Sequence, residues 1–474
     1  MHVNRRQFLR RSIAAALGGV SLYSAAGSLR LMAASLGAQR ASALAGYKAL
    51  VCVFLFGGND SFNTVVPVSG QARTDYLASR GALAQTANLN PLTPLDAGPT
   101  NYALHASMPE MAALFNAGRA GIVANVGSLL YPITSAQYHA GTVPSPPQLF
   151  SHVDQQAQWQ TSRPDDANAL GWGGRVADLL HTTNSGQVPM NITLSGNNAF
   201  QRGAVVTPYG MDPRGVGRMS YQDNGDECWI AGSCSDYGAA TQALNQAAYD
   251  ALIAPGAQVN ALERAYAGAT SHSIANYQLL DTALGANAPS WTTPFPDSDL
   301  GGQLQMVARL ISARGALGMN RQIFFVSTGN YDTHTNQLDD QNGNLAELSQ
   351  AIKAFYDATV QMGVANAVTS FTASDFGRSL AANASGTDHG WGGHHFVLGG
   401  SVQGGRFYGT LPSLAPNGNP DDTGWGQIIP TIAVDQYAAT LARWLGVPDT
   451  GAGGIADILP NLGRFASADL GFMT

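Results

Sequence analysis

Ala49-Leu50-Val51-Cys52-Val53-Phe54-Leu55-Phe56 is a continuous apolar run that stops at Gly57-Gly58-Asn59-Asp60. Its length, its β-branched and aromatic content and its lack of polar alternation predict a strand buried on both faces of a parallel sheet. Similar runs recur outward along the chain at 121–126, 189–194, 322–327, 367–372 and 395–398. Between them, apolar residues return at three-to-four spacing, as in Leu304, Val307, Leu310 and Ile311, then Leu345, Leu348, Ile352 and Phe355. Tyr437, Leu441, Trp444 and Leu445 mark a C-terminal helix in the same way, and 108–117 marks an earlier one. Strand and helix alternate, so the predicted class is α/β, with a mainly parallel central sheet flanked by helices. In such sheets a ligand site lies beyond the carboxyl ends of the strands. The stretch from about 196 to 296 breaks the alternation and reads as a part-helical insertion covering one side of the sheet.

The N-terminus reads differently. Arg5-Arg6 precede Phe8-Leu9, two more arginines follow at 10 and 11, and a small-residue apolar stretch leads to Ala41-Ser42-Ala43. Charged head, weakly apolar middle and small-x-small end predict a removable twin-arginine signal over 1–45, with one domain over 46–474. The predicted location is periplasmic or secreted. Arg30 and Arg40 interrupt the apolar stretch, and no stable membrane span is expected in the mature chain. The net charge of −7, without a basic cluster after the signal, argues against nucleic acid as a partner. Cys52 reads as a buried thiol. Cys228 and Cys234 close a short turn-rich loop that predicts a local disulfide in an oxidising compartment, two thiolates with no nearby histidine being a poor metal set.

Polar residues collect after the strands. They are Asp60, then Ser151-His152-Val153-Asp154, Asp332-Thr333-His334, Asp375-Phe376-Gly377-Arg378, and Asp388-His389 in a glycine-rich run that continues to His394-His395. Carboxylate with imidazole is a ligand set for divalent metals. Each piece also has a plainer reading. Asp60 fits a turn or helix cap, Ser151 with Asp154 fits a capping box, and Asp375 with Arg378 fits a structural ion pair. Glycine-rich backbone builds no core, which makes the histidines around 389 site candidates.

Phe54-Leu-Phe-Gly-Gly-Asn-Asp-Ser-Phe-Asn-Thr-Val-Val-Pro67 resembles the opening motif of the domain-of-unknown-function 1501 family. Ser151-His152, Tyr331-Asp332-Thr333-His334, Ser374-Asp375-Phe376-Gly377-Arg378 and Thr387-Asp388-His389-Gly390 resemble its later motifs, in order. The resemblance implies twin-arginine export and an alkaline-phosphatase/sulfatase-like sandwich acting on a small anionic phosphate or sulfate ester. It also implies a divalent metal (zinc, manganese or calcium) held by Asp60, Asp332, His334, Asp375, Asp388 and His389, with Ser151 as nucleophile and Arg378 holding the anion. Asp332 and His334 stand closer together than the superfamily spacing, and Asp375 lacks an adjacent histidine. One ligand is therefore expected from elsewhere, with His394 and His395 as candidates. The alternative is a catalytically inactive binding or accessory protein of an exported complex, with the insertion docking a protein partner.

Overall fold

The computed structural model describes residue 44 and residues 46–215, 247–248, 250–254, 258–286, 289 and 291–474. The stretch expected to be a signal, 1–45, lies outside the described residues except for residue 44, and the Cys228–Cys234 loop lies outside them entirely. Among the described residues, no helix is long and apolar enough to cross a membrane.

The fold is mixed α/β around a nine-stranded, mostly parallel sheet. In chain order its strands are β1 (Lys48–Leu55), β2 (Ala120–Gly127), β3 (Asn191–Thr193), β4 (Tyr209–Gly210) and β5 (Arg321–Thr328), then β6 (Val368–Ser374), β7 (Gly393–Gly399), β8 (Phe407–Tyr408) and β9 (Ile432–Ala433). They are ordered β8-β2-β7-β6-β1-β5-β3-β4, with β9 also pairing β2. β1 runs parallel to both β5 and β6, in the register Val51↔Phe324 and Val51↔Ser370. β7 is the exception: it lies antiparallel between β2 and β6.

The alternation of side chains across a strand sorts β1 between two cores. Ala49, Val51, Val53 and Leu55 enter one cluster with Phe324, Val326, Leu304 and Leu348. Leu50, Cys52 and Phe54 enter the other with Phe325, Trp172, Leu441 and Leu445. Helices α1 (Pro109–Asn116), α4 (Ala261–Ala286), α5 (Asp299–Ser312) and α6 (Gln337–Gln361) cover the first face. Helices α2 (His152–Thr161), α3 (Trp172–Leu180) and α7 (Val434–Leu445) cover the second. At about 1.5–3 kcal/mol per fully buried large apolar side chain, a strand apolar on both faces must stay in the interior. Within 196–296, β4 extends the sheet edge, and α4 sets Leu280, Ala283 and Leu284 into the first core. Cys52 is a buried free thiol.

Candidate metal centre

The carboxyl ends of β1, β5 and β6 are neighbours in the sheet, so the loops that follow them meet. Two glycines let them close. A Cβ on Gly57 (φ +114) would stand 2.4 Å from the Asp332 amide nitrogen, and one on Gly58 (φ +86) would stand 2.4 Å from the Phe376 ring. Backbone with φ above zero in so little space admits only glycine. The short ribbon of Arg378–Ala382 and Thr387–His389 follows β6 and brings His389 back over the same place.

Four side chains converge there. Asp332 Oδ1 lies 3.1 Å from His334 Nε2 and 3.3 Å from His389 Nε2, and its Oδ2 lies 3.5 Å from His152 Nε2. His334 Nε2 and His389 Nε2 are 3.0 Å apart. The other nitrogen of each imidazole is already committed. His152 Nδ1 donates to Asp375 Oδ2 at 2.7 Å, His389 Nδ1 to the Phe150 carbonyl at 2.7 Å, and His334 Nδ1 to Asp388 Oδ1 at 3.3 Å. Phe150 holds its carbonyl in place from φ 70, a conformation a bulky residue adopts only under tertiary constraint. With each Nδ1 a donor, the three Nε2 atoms present lone pairs to the Asp332 carboxylate, and those of His334 and His389 to each other as well. Acceptors so placed repel unless a proton or a cation lies among them.

The donor set fits a divalent cation. Tetrahedral zinc with bonds of roughly 2.0–2.1 Å separates its ligands by about 3.3 Å, and the three imidazole contacts of Asp332 run from 3.1 to 3.5 Å. Ligand imidazoles that donate their second nitrogen to a carboxylate or carbonyl are typical of metal sites. His152, Asp332 and His389 each present a ligand atom within 4.8 Å of the others, and all three are partly open to solvent.

Charge shapes the centre as well. Burial opposes ionisation of Asp332, but the Arg378 hydrogen bond and charge, with His334 and His152 behind them, hold its carboxyl below the usual range. The Asp375 bond raises the His152 pKa, against a smaller effect of burial. Burial lowers that of His389. The Phe376 ring packs against both of these imidazoles, with centroids 4.9 Å and 4.7 Å away, and the two imidazoles touch each other at 4.4 Å.

Several sequence-level assignments need correction. Asp60 does not reach the cluster. Its Oδ1 caps the Ser61–Thr64 helix through the Phe62 and Asn63 amides, while Oδ2 takes the fully buried Arg80 guanidinium and the Gln337 amide. That saturates the carboxylate, so the cap reading of Asp60 describes what it does. Arg378 does not face outward to hold an anion. Buried completely, it donates to Asp332 Oδ1 at 2.7 Å and to the Gly57 carbonyl, the Thr387 carbonyl and Thr387 Oγ1. It orients Asp332. Asp375 and Asp388 stand behind His152 and His334 as hydrogen-bond acceptors. His394 and His395 sit in β7 and are buried: one accepts the Asn125 amide and packs on Phe62, the other packs on Trp159 and Tyr437. The imidazole beside Asp375 comes instead from His152. Only its place directly after Ser151 in a recurring motif hinted at that. The Ser151 hydroxyl precedes His152 and donates to Asp154 Oδ2 at 2.6 Å.

No match was found among curated proteins. Among solved structures, the chain is similar to one described as "Crystal structure of Ps i-CgsB in complex with k-i-k-neocarrahexaose", at 10% identity and a TM-score of 0.35 over 85% of this chain and 72% of that one. Residues 47–435, which include every residue of the cluster, match the family described as "Protein of unknown function (DUF1501)". The chain therefore belongs to the domain-of-unknown-function 1501 family.

Proposed function

We propose that this chain is an exported, metal-dependent hydrolase of phosphate or sulfate esters. The observation that carries the reading is the convergence of three imidazole lone pairs on Asp332, with each imidazole's far nitrogen already held. His152, Asp332, His334 and His389 would hold one divalent cation, zinc, manganese or calcium. A cation bound there would supply Lewis-acid charge to an ester oxygen and make a nearby hydroxyl easier to ionise.

The chain's own groups account for the remainder. Ser151 stands one residue from the centre, and its hydroxyl already donates to Asp154, which would accept the proton as Oγ bonds to phosphorus or sulfur. The ester's alkoxide would leave, taking a proton from water; a second water would then cleave the Oγ ester and release the phosphate or sulfate. Arg378 keeps Asp332 ionised and fixed. The N-terminus of α2 faces the same place, and its free amides favour an anion. The alkaline-phosphatase/sulfatase-like sandwich belongs to the same proposal. It is supported by the two helical layers and by a polar cluster beyond the carboxyl ends of β1, β5 and β6. Twin-arginine export to the periplasm or beyond is supported by Arg5-Arg6 and the apolar stretch after them.

Metal analysis of the purified protein, followed by assays on p-nitrophenyl phosphate and sulfate with zinc, manganese or calcium added, tests the reading. Bound metal and turnover that Ser151→Ala abolishes are expected. Protein that binds none of the three ions and hydrolyses neither ester would sink it. One observation favours a second reading, a binding protein without turnover: Arg378 already neutralises Asp332, which weakens the centre's pull on a cation. That reading predicts metal binding without hydrolysis and indifference to Ser151→Ala.

A further inference from the structure

Thr387 is fully buried in the short ribbon that carries His389, and every polar group it has is engaged. Its amide donates at 3.1 Å to the carbonyl of Thr333, the residue between Asp332 and His334. Its carbonyl and its hydroxyl oxygen both accept from Arg378, the hydroxyl from Nε at 3.3 Å. The same guanidinium reaches Asp332 Oδ1 at 2.7 Å. The hydroxyl in turn donates to Gln337 Oε1 at 2.6 Å. Gln337 is also fully buried at the start of α6, and its Nε2 donates to Asp60 Oδ2.

One charge sets the sense of every bond in this chain. Asp60 takes the buried Arg80 guanidinium, so its carboxylate is ionised and can only accept. The amide nitrogen of Gln337 must therefore face Asp60, which turns Oε1 toward Thr387. An amide oxygen can only accept, so Thr387 Oγ1 gives its hydrogen to Gln337 and keeps its lone pairs for Arg378. Without Gln337 the hydroxyl would be free to turn its hydrogen toward the guanidinium. With it, two acceptors of one residue hold one side of the Arg378 plane, and the other side is aimed at Asp332.

We propose that Thr387, its hydroxyl turned by Gln337, is a positioning residue for the metal centre: it fixes Arg378 and, through Arg378, the Asp332 carboxylate. The inference rests on the metal-dependent reading of the proposed function for its consequence, while the chain itself is geometry. A buried guanidinium that loses an acceptor is costly to leave unpaired, so it turns in search of another and releases Asp332. Asp60→Asn keeps an acceptor oxygen for Gln337, and the chain outlasts that substitution.

The test compares wild type, Thr387→Val, which keeps the shape and removes the hydroxyl, and Thr387→Ser, which restores it. Zinc affinity is read against a competing chelator, and the visible spectrum of the cobalt(II)-loaded protein reads the geometry around the metal. Thr387→Val is expected to bind zinc about tenfold more weakly, the lower end for groups behind a metal ligand, with a shifted cobalt spectrum. Thr387→Ser is expected to recover both. Wild-type affinity and spectrum in Thr387→Val, or a Thr387→Ser as weak as Thr387→Val, would overturn the proposal. Should Thr387→Val fail to fold, Gln337→Met, which frees the hydroxyl to turn, carries the same test with the same expected direction. A wild type that binds neither metal would sink the metal reading instead. Crystal structures of the unloaded proteins then decide the chain: Arg378 swung off Asp332 in Thr387→Val supports it, and Arg378 in place overturns it.

Discussion

Asp375→Asn should weaken the proposed metal centre without touching any of its proposed ligands. Asp375 is fully buried, and its Oδ2 alone takes three donors: His152 Nδ1 at 2.7 Å, Gln156 Nε2 at 2.9 Å and the Gly57 amide at 3.2 Å. The substitution keeps the shape and one acceptor oxygen but removes the charge that aims His152 Nε2 at Asp332. Losses of this kind cost about 10–100-fold in metal affinity, or roughly 1.4–2.7 kcal/mol. The pH dependence adds a second readout. Asp375 raises the His152 pKa, first through its hydrogen bond, and a cation must displace that proton. Wild-type affinity should therefore climb with pH through and above the ordinary histidine range. In Asp375→Asn the His152 pKa falls, so the rise should come at lower pH and reach a weaker plateau. Zinc titrations with a competing chelator at several pH values measure both. A plateau within twofold of wild type, or a rise at unchanged pH, would refute the supporting role of Asp375.

Four further outcomes are expected. His389→Ala and His334→Ala should each abolish or greatly weaken zinc binding in folded protein; zinc retained at wild-type affinity in both would place the metal elsewhere. Asp60→Asn should cost about 3–5 kcal/mol of stability, since it leaves Arg80 buried without its partner, yet the folded fraction should bind zinc normally. Loss of zinc binding in well-folded Asp60→Asn would restore Asp60 as a ligand. Asp435 is buried, and desolvation raises its pKa to about 7. The folded state then binds its proton more tightly than the unfolded chain, so this group's penalty grows as pH rises from the unfolded value near 4 to about 7. Asp435→Asn should accordingly stabilise the protein by a few kcal/mol, on the order of 2–4, at pH 8 and by almost nothing at pH 4. Urea unfolding at the two pH values decides it, and an equal effect at both would mean that Asp435 carries no such linkage.

The sheet was legible because its central strands are apolar on both faces, a pattern that hardly any other element shares. The antiparallel course of β7 was not, since a buried strand reads alike in either direction. At the site, the approach of Asp332, His334 and His389 followed from their places after strands. Asp60 misled because the partner that saturates it, Arg80, lies 20 residues on, at the end of the Gly70–Arg80 helix. Arg378 misled because main-chain carbonyls consume its donors, and no sequence shows where carbonyls point. His394 and His395 sit in a glycine-rich run that suggests a site. As adjacent residues of a strand they point to opposite faces and into two different packings. His152 was overshadowed by Ser151, whose hydroxyl drew the chemical reading.

The position of β7 also governs when the protein can become itself. Its residues, 393–399, slot between β2 and β6, two strands made earlier, and β8 and β9 join β2 later still. Until the ribosome has released about four-fifths of the chain, the two halves of the sheet have no strand to join them, and each keeps a bare edge toward the other. Such long-range closure makes folding slow and leaves sticky edges exposed meanwhile. A chain cut short before residue 393 should collapse into aggregates rather than half a protein, and the centre that depends on His389 can form only when synthesis is nearly done.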